Sequence, residues 1–343
     1  MVLDYTSLMT TKLRLVFSIT IAFVCFYGSA QSSYWHRVES KSAVIGALPE
    51  SNIKKKQLFS LDEEAFTQEL GKSSILGRAP MVVYFPDENG NLSPFRITEA
   101  STLAPQLAAK YPKIKSYRGY SINDNNQRIR FSVSPKGIES MITHADKLHT
   151  TFMQKSGKQG YDYVVYTRDS KALVDSDFIC LTKAELEKGS SGITMKPIGD
   201  KILRKYRIAV STTGEYTQYH GGTVASALAA INATITRVNE VFETDLGITL
   251  EVIAEEDSII FTNSATDPYN GNLNNQVQNT LTTTLGEGKY DVGHLFHKDV
   301  DNGNAGFVGS VCVDNKKGSA YSSSMVPEGD IFDLEFAAHE LGH

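Results

Sequence analysis

The last five residues of the sequence have the types and spacing needed to bind a catalytic metal. They are His339-Glu340-Leu341-Gly342-His343 and read H-E-x-x-H. On a helix, histidines at i and i+4 share one face and can direct two nitrogens at one Zn²⁺ ion. The intervening glutamate would then lie beside a zinc-bound water as its base. A chance match on a charged helix is the competing interpretation, so the surrounding elements must decide.

The residues before the motif predict a helix that can hold it. Asp330, with Asp333 three residues later, resembles a capping box, which predicts Asp330 as the N-cap. The apolar surface of this helix would come from Phe332, Leu334, Phe336, Ala338 and Leu341. The motif therefore follows a defined helix start.

Residues 201–343 predict strands and helices in alternation. A long amphipathic helix is expected from Val224 to Leu246, with Thr223 as its cap. The expected strands are 206–210, 248–253, 290–297, 305–309 and 318–322. A strand, helix, strand unit at the start of this region implies parallel strands. His294 and His297 would point to opposite faces of their strand, so we do not expect them to share an ion.

Residues 31–200 predict a β-rich domain. Strand-like runs at 81–85, 117–122, 129–133, 137–143 and 161–167 alternate with turns rich in Asn, Gly and Ser. His144 and His149 have no carboxylate or cysteine partner at ligand spacing, so we expect them to be surface or packing residues. A Ser-, Lys- and Gly-rich stretch at 185–202 predicts an exposed linker that proteases could cut.

Composition and charge exclude several classes of function. With 343 residues, 41% hydrophobic and 21% charged, the chain has the composition of a soluble globular protein of about two domains. Residues 201–343 hold 9 Lys and Arg against 19 Asp and Glu, a charge of −10, which leaves +5 for residues 1–200. This complementarity would favour docking of one half on the other, and two domains that merely happen to differ in charge are the alternative. An acidic second half argues against nucleic acid as a partner.

The beginning of the chain predicts export. Lys12 and Arg14 precede an apolar run at 15–27, and Gly28-Ser29-Ala30 provides the small residues of a cleavage site. We therefore expect a signal peptide at residues 1–30 and a secreted protein. The apolar run is short for a membrane span, so none is expected after the signal is removed.

From Tyr206 onward the sequence resembles the metzincin zinc peptidases, in the reprolysin or adamalysin-like branch found in exported bacterial proteins. The resemblance rests on the opening strand and on the stretches 237–248, 305–312 and 335–343. It implies an α+β or α/β fold: a β-rich propeptide at 31–200 that inhibits the enzyme, then a catalytic domain at 201–343. That domain would contain a twisted mixed sheet, a long helix and an active-site helix.

The same resemblance implies an enzyme that hydrolyses protein or peptide substrates. His339 and His343 would bind one Zn²⁺, and Glu340 would be the general base. The family pattern continues x-x-G-x-x-H with a later methionine turn, so we expect the third ligand beyond His343 and no activity from a fragment that ends at His343. Gly306, Phe307 and Val308 resemble the family's edge strand, on which a substrate adds in extended form. A glycine-rich turn is the alternative there.

Two cysteines remain once the signal peptide is removed, and their roles stay open. A propeptide thiolate can occupy the open zinc position and keep a zymogen silent, and Cys180 lies just before the predicted linker. It lacks the glycine that often follows such a cysteine. A disulfide with Cys312 or an idle thiol are the alternatives for Cys180, and we expect Cys312 to pair with a cysteine beyond residue 343.

Two other functions remain compatible with the sequence. One is an exported β-rich adhesion or binding protein in which H-E-x-x-H is coincidental. The other is a thermolysin-like zinc peptidase, whose third ligand would be a glutamate on a later helix.

Overall fold

The computed structural model describes residues 34–38, 53–75, 80–124, 126–144, 149–156, 162–169, 178–183 and 201–343. The predicted signal peptide and nearly all of the predicted linker lie outside these residues. Trp35–His343 form one unit, and the chain combines helices with two sheets, consistent with an α+β fold.

The first sheet has nine antiparallel strands in the order β1-β2-β9-β8-β7-β6-β5-β4-β3. Each strand pairs with its neighbours in the sequence, as expected for short strands joined by turns, except that β2 pairs with β9 and not with β3. The strands are β1 Trp35–Arg37, β2 Ile53–Leu61, β3 Met81–Pro86, β4 Leu92–Glu99, β5 Lys115–Ser121, β6 Arg128–Ser134, β7 Gly137–Thr143, β8 His149–Lys155 and β9 Asp162–Asp169.

The first sheet curls so that its two end strands meet. Trp35 of β1 donates its indole N–H to the carbonyl of Tyr84 in β3 at 2.9 Å, and its ring lies 6.0 Å from that of Phe85. Phe66, from helix α1 (Glu63–Ile75), fills the space inside and contacts Phe85 edge-on at 5.6 Å. Burial of these aromatic rings stabilises the curl, since each removes a large apolar area from water.

The second sheet has six strands in the order β10-β14-β15-β13-β11-β12. They are β10 Ile179–Cys180, β11 Arg204–Thr212, β12 Ile248–Val252, β13 Val292–His297, β14 Asn302–Asn304 and β15 Ala320–Ser323. The predicted parallel pairing of β11 with β12 is confirmed, and β13 and β15 continue the parallel run. β14 is antiparallel to β15, so the sheet is mixed.

The strand predicted at 305–309 is wrong. These residues form turns, and the strand near this edge is β14, which ends at Asn304. Gly306 has φ of +74°, and a Cβ there would lie 2.3 Å from the Ser319 hydroxyl oxygen. The backbone of Gly306 therefore needs glycine, and it breaks the extended conformation that the apolar pattern suggested.

The remaining helices are α2 Pro105–Lys110, α3 Gly214–Tyr219, α4 Val224–Asp245, α5 Leu273–Thr284 and α6 His339–Gly342. Thr223 caps α4 as predicted, in a reciprocal capping box with Ser226. α4 packs against β6 of the first sheet and β12 of the second, which is why it is buried nearly all round. Within the described residues, no helix is long and apolar enough to cross a membrane.

Asp330 lies at the N-cap position that the sequence predicted, but its side chain does not cap the helix. A π-helical segment, Ile331–Ala338, leads into α6, and it has no side-chain cap. The carboxylate of Asp330 instead pairs with the guanidinium of Arg168 and accepts a hydrogen bond from the Tyr166 hydroxyl at 2.7 Å. Asp333 pairs with Arg237 at 2.7 Å. Both aspartates are buried. Leaving a buried carboxylate without a charged partner costs more free energy than leaving a helix end without a side-chain cap, so the ion pairs form instead of the cap.

Candidate metal centre

His339 and His343 lie one helical turn apart on α6, and their Nε2 atoms are 3.2 Å apart. Two nitrogens held tetrahedrally at about 2.05 Å from zinc are about 3.3 Å apart, so this spacing suits one ion. Burial, with the neighbouring His343, lowers the pKa of His339. The lowered pKa favours the neutral imidazole, which is the form that binds metal.

The structure places Cys180 beside the two histidines. Its Sγ is 3.4 Å from Nε2 of His343, close to the roughly 3.6 Å expected for a thiolate and an imidazole on one zinc. Cys180, His339, Glu340 and His343 each offer a ligand atom, and these atoms all lie within 4.8 Å of one another. Two imidazoles and a thiol are donors that zinc prefers, so the residues fit that ion. Cys180 and Cys312 are both free thiols in the structure.

The Glu340 carboxylate is buried between the histidines and the edge of the second sheet. Its Oε2 accepts a hydrogen bond from the Thr182 hydroxyl at 2.9 Å, and its buried Oε1 has no hydrogen-bond partner in the described part of the chain. Burial raises the pKa of Glu340, while the Thr182 hydrogen bond and His343 oppose the rise. An unsatisfied carboxylate oxygen beside two imidazoles is a site where a water or a cation would be stabilised.

Gly303 allows Glu340 to pack directly on β14. A Cβ on Gly303 would lie 2.5 Å from Oε1 of Glu340, closer than real carbon atoms come. Sequence reasoning missed this residue. A glycine inside a short polar strand often marks a close approach, which was the available signal.

Residues 178–183, here called the covering segment, lie across the centre. Strand β10 pairs with β14 in parallel, and the Leu181 N–H donates to the Gly303 carbonyl at 2.8 Å. The Phe178 ring packs 4.4 Å from that of Phe336 and 5.2 Å from that of His339. The sequence indicated Cys180 but not Phe178 or Thr182. The apolar residues at 178–181 within a polar stretch were a signal for Phe178, and no pattern in the sequence indicated Thr182.

Gly306, Phe307 and Val308 lie beside the centre, in turns. The Phe307 and Val308 side chains are exposed, and with Leu181 and Lys183 they line an open groove of about 550 Å³. The Gly309 N–H donates to the His343 carbonyl at 2.8 Å, which ties this turn to the end of α6. The structure therefore brings these residues close to the metal centre, although β14 provides the strand edge.

Comparison with known proteins agrees with this geometry. Residues 203–343 match the family model described as metallo-peptidase family M12B, reprolysin-like. The match supports a reprolysin-like zinc metallopeptidase, a hydrolase of protein or peptide substrates, in this part of the chain. It favours that interpretation over an adhesion protein with a coincidental motif. None of the curated proteins matches the chain.

Proposed function

We propose that the chain is the secreted zymogen of a zinc endopeptidase, in which residues 31–200 are the propeptide and the covering segment blocks the metal centre. The observation that carries the proposal is the position of Cys180, whose Sγ lies 3.4 Å from His343 Nε2 within a metallopeptidase-like domain. His339, His343 and the Cys180 thiolate would hold Zn²⁺ in the latent state. In the active enzyme, water would replace the thiolate, and the family pattern adds a third histidine.

Glu340 would be the general base for peptide hydrolysis. Zinc bound at the two histidines supplies Lewis acidity and acidifies a bound water. Glu340 would lie where it can accept that water's proton, and its buried Oε1 makes no hydrogen bond among the described residues. Thr182 donates to the other oxygen, so the covering segment engages both the metal ligands and the base.

Peptide substrates would bind where the covering segment now lies. β10 occupies the free edge of β14, and an extended substrate needs main-chain hydrogen bonds from that same edge. The groove beside Phe307 and Val308 would receive substrate side chains. Substrate and covering segment would compete for one surface, which accounts for latency without a change in the catalytic residues.

Cobalt substitution tests the Cys180 ligand. With Co²⁺ in the metal centre, we expect a thiolate-to-cobalt charge-transfer band in the near ultraviolet. Cys180→Ser should lose this band, because serine has no thiolate, while Cys312→Ser should keep it as the matched control. A band that survives in Cys180→Ser, or that is missing from the wild-type chain, would show that Cys180 is not a ligand.

A further inference from the structure

A second group of metal-binding side chains lies in the first sheet, well outside the candidate zinc centre. Glu88, His144 and His149 each offer one ligand atom, and these atoms lie within 4.8 Å of one another. Glu88 is in the turn between β3 and β4, His144 follows β7, and His149 begins β8. The histidine rings stack with their centroids 4.2 Å apart.

The curl of the first sheet brings these residues together. In strand order, β5 and β6 lie between the β3–β4 turn of Glu88 and the strands that flank the histidines, yet the Thr151 hydroxyl of β8 donates to Oε2 of Glu88 at 3.2 Å. Thr151 also lies 2.9 Å from Nε2 of His144. No carboxylate lies at ligand spacing from these histidines in the sequence, and the one that approaches them in the fold, Glu88, comes from a distant part of the chain.

We propose that Glu88, His144 and His149 form a second metal site, which binds Zn²⁺ or a similar divalent transition ion. Two imidazoles and one carboxylate form a donor set that suits zinc and its neighbours, with a further position left for water. Calcium and magnesium prefer sites made of oxygen atoms. All three residues are half-buried, so an ion can reach them while the surroundings still limit competition from water.

Neighbouring side chains can orient the ligands. The Gln127 amide nitrogen is 3.4 Å from Nδ1 of His144. A metal bound at Nε2 of His144 would leave the proton on Nδ1. If the Gln127 amide is flipped, its oxygen can accept a hydrogen bond from that N–H. Thr151 remains positioned to hold the Glu88 carboxylate.

A metal bound by these three residues would cross-link two connections at one end of the curled sheet. It would join the β3–β4 turn to the connection between β7 and β8, which the sheet's own hydrogen bonds do not link. An ion that binds only the folded sheet stabilises it by mass action. The role is structural and does not depend on the proposed peptidase activity.

The test uses the full chain, free of any affinity tag, with His339→Ala, His343→Ala and Cys180→Ser so that the first centre cannot bind metal. Titration calorimetry with Zn²⁺ should show one bound equivalent, and the melting temperature should rise. Adding His149→Gln should weaken zinc binding by roughly tenfold or more and remove the thermal shift. His36→Gln, on the exposed face of β1, is the matched control and should bind like the parent.

Glu88→Gln provides a second variant in case His149→Gln does not fold. It keeps the size of the side chain and an oxygen for Thr151, and it should also weaken zinc binding. The proposal is overturned if the parent binds no zinc, or if a folded His149→Gln or Glu88→Gln variant binds it unchanged. Because the first centre is absent throughout, neither result bears on the peptidase proposal.

Discussion

His294 shows what burial does to a single titratable residue. It lies in β13, is fully buried, and its Nε2 is 2.9 Å from the Ser322 hydroxyl oxygen. Nδ1 of His297 lies 3.1 Å from the Thr213 hydroxyl oxygen. Among the described residues, neither histidine belongs to a cluster of side chains that could hold a metal ion. Loss of hydration lowers the pKa of His294 to about 3. The imidazole of the folded protein is therefore neutral at neutral and mildly acidic pH.

This lowered pKa predicts an acid-dependent loss of stability. Below about pH 6.5 the unfolded chain gains a proton at His294 and the folded chain does not. The free energy of unfolding therefore decreases as the pH is lowered, until the pKa of His294 in the folded protein is reached. Between pH 7 and 5, wild type should lose about 2 kcal/mol more than His294→Gln, measured by urea unfolding. Ser322→Ala, which keeps the imidazole, should retain the wild-type pH dependence. Equal losses in wild type and His294→Gln would contradict this interpretation.

At the scale of elements, the π-helical segment that leads into α6 is held by the first sheet and by α4. Arg168 of β9 pairs with Asp330 at the start of the π-helical segment, and Arg237 of α4 pairs with Asp333 one turn later. All four side chains are buried. The contacts of the first sheet therefore help to set the position of α6 and its two histidines.

Removal of Arg168 should be strongly destabilising. Among the described residues, Arg168→Met leaves the buried Asp330 charge with the Tyr166 hydroxyl as its one remaining side-chain partner, and breaking a buried pair in this way typically costs about 3–5 kcal/mol. Urea unfolding monitored by circular dichroism measures the change. Arg168→Met combined with Asp330→Asn should recover part of the loss, since no charge is then left unpaired. A single variant within about 0.5 kcal/mol of wild type would mean that the pair is energetically unimportant.

The elements predicted correctly were those specified by nearby residues. Thr223 caps α4 because its hydroxyl needs only Ser226 three residues away, and the motif histidines share a helix face by spacing alone. The capping role of Asp330 was assigned wrongly because its partner, Arg168, belongs to the other sheet. The meeting of Glu88 with His144 and the pairing of β10 with β14 also depend on the tertiary fold, which local patterns do not encode.

At the scale of the whole molecule, basic residues of the first half form ion pairs with acidic residues of the second half. Arg130 of β6 pairs with Glu240 at 3.1 Å and with Glu243 on α4, and Arg128 reaches Glu240 at 2.9 Å. The basic first half thus meets the acidic second half as the sequence charges suggested. These ion pairs join β6 of the first sheet to α4, which packs against the second sheet.

The most direct test of this account is peptide hydrolysis before and after cleavage between residues 184 and 200, using protein expressed from its full gene with a specific protease site placed there. We predict that the uncut protein is silent, that cutting releases hydrolysis of a quenched fluorescent peptide, and that a chelator abolishes it. Glu340→Gln should bind zinc yet remain inactive after the cut, with at least a roughly hundredfold loss of rate. Hydrolysis by the cut Glu340→Gln protein, or equal activity of wild type before and after cleavage, would contradict the account.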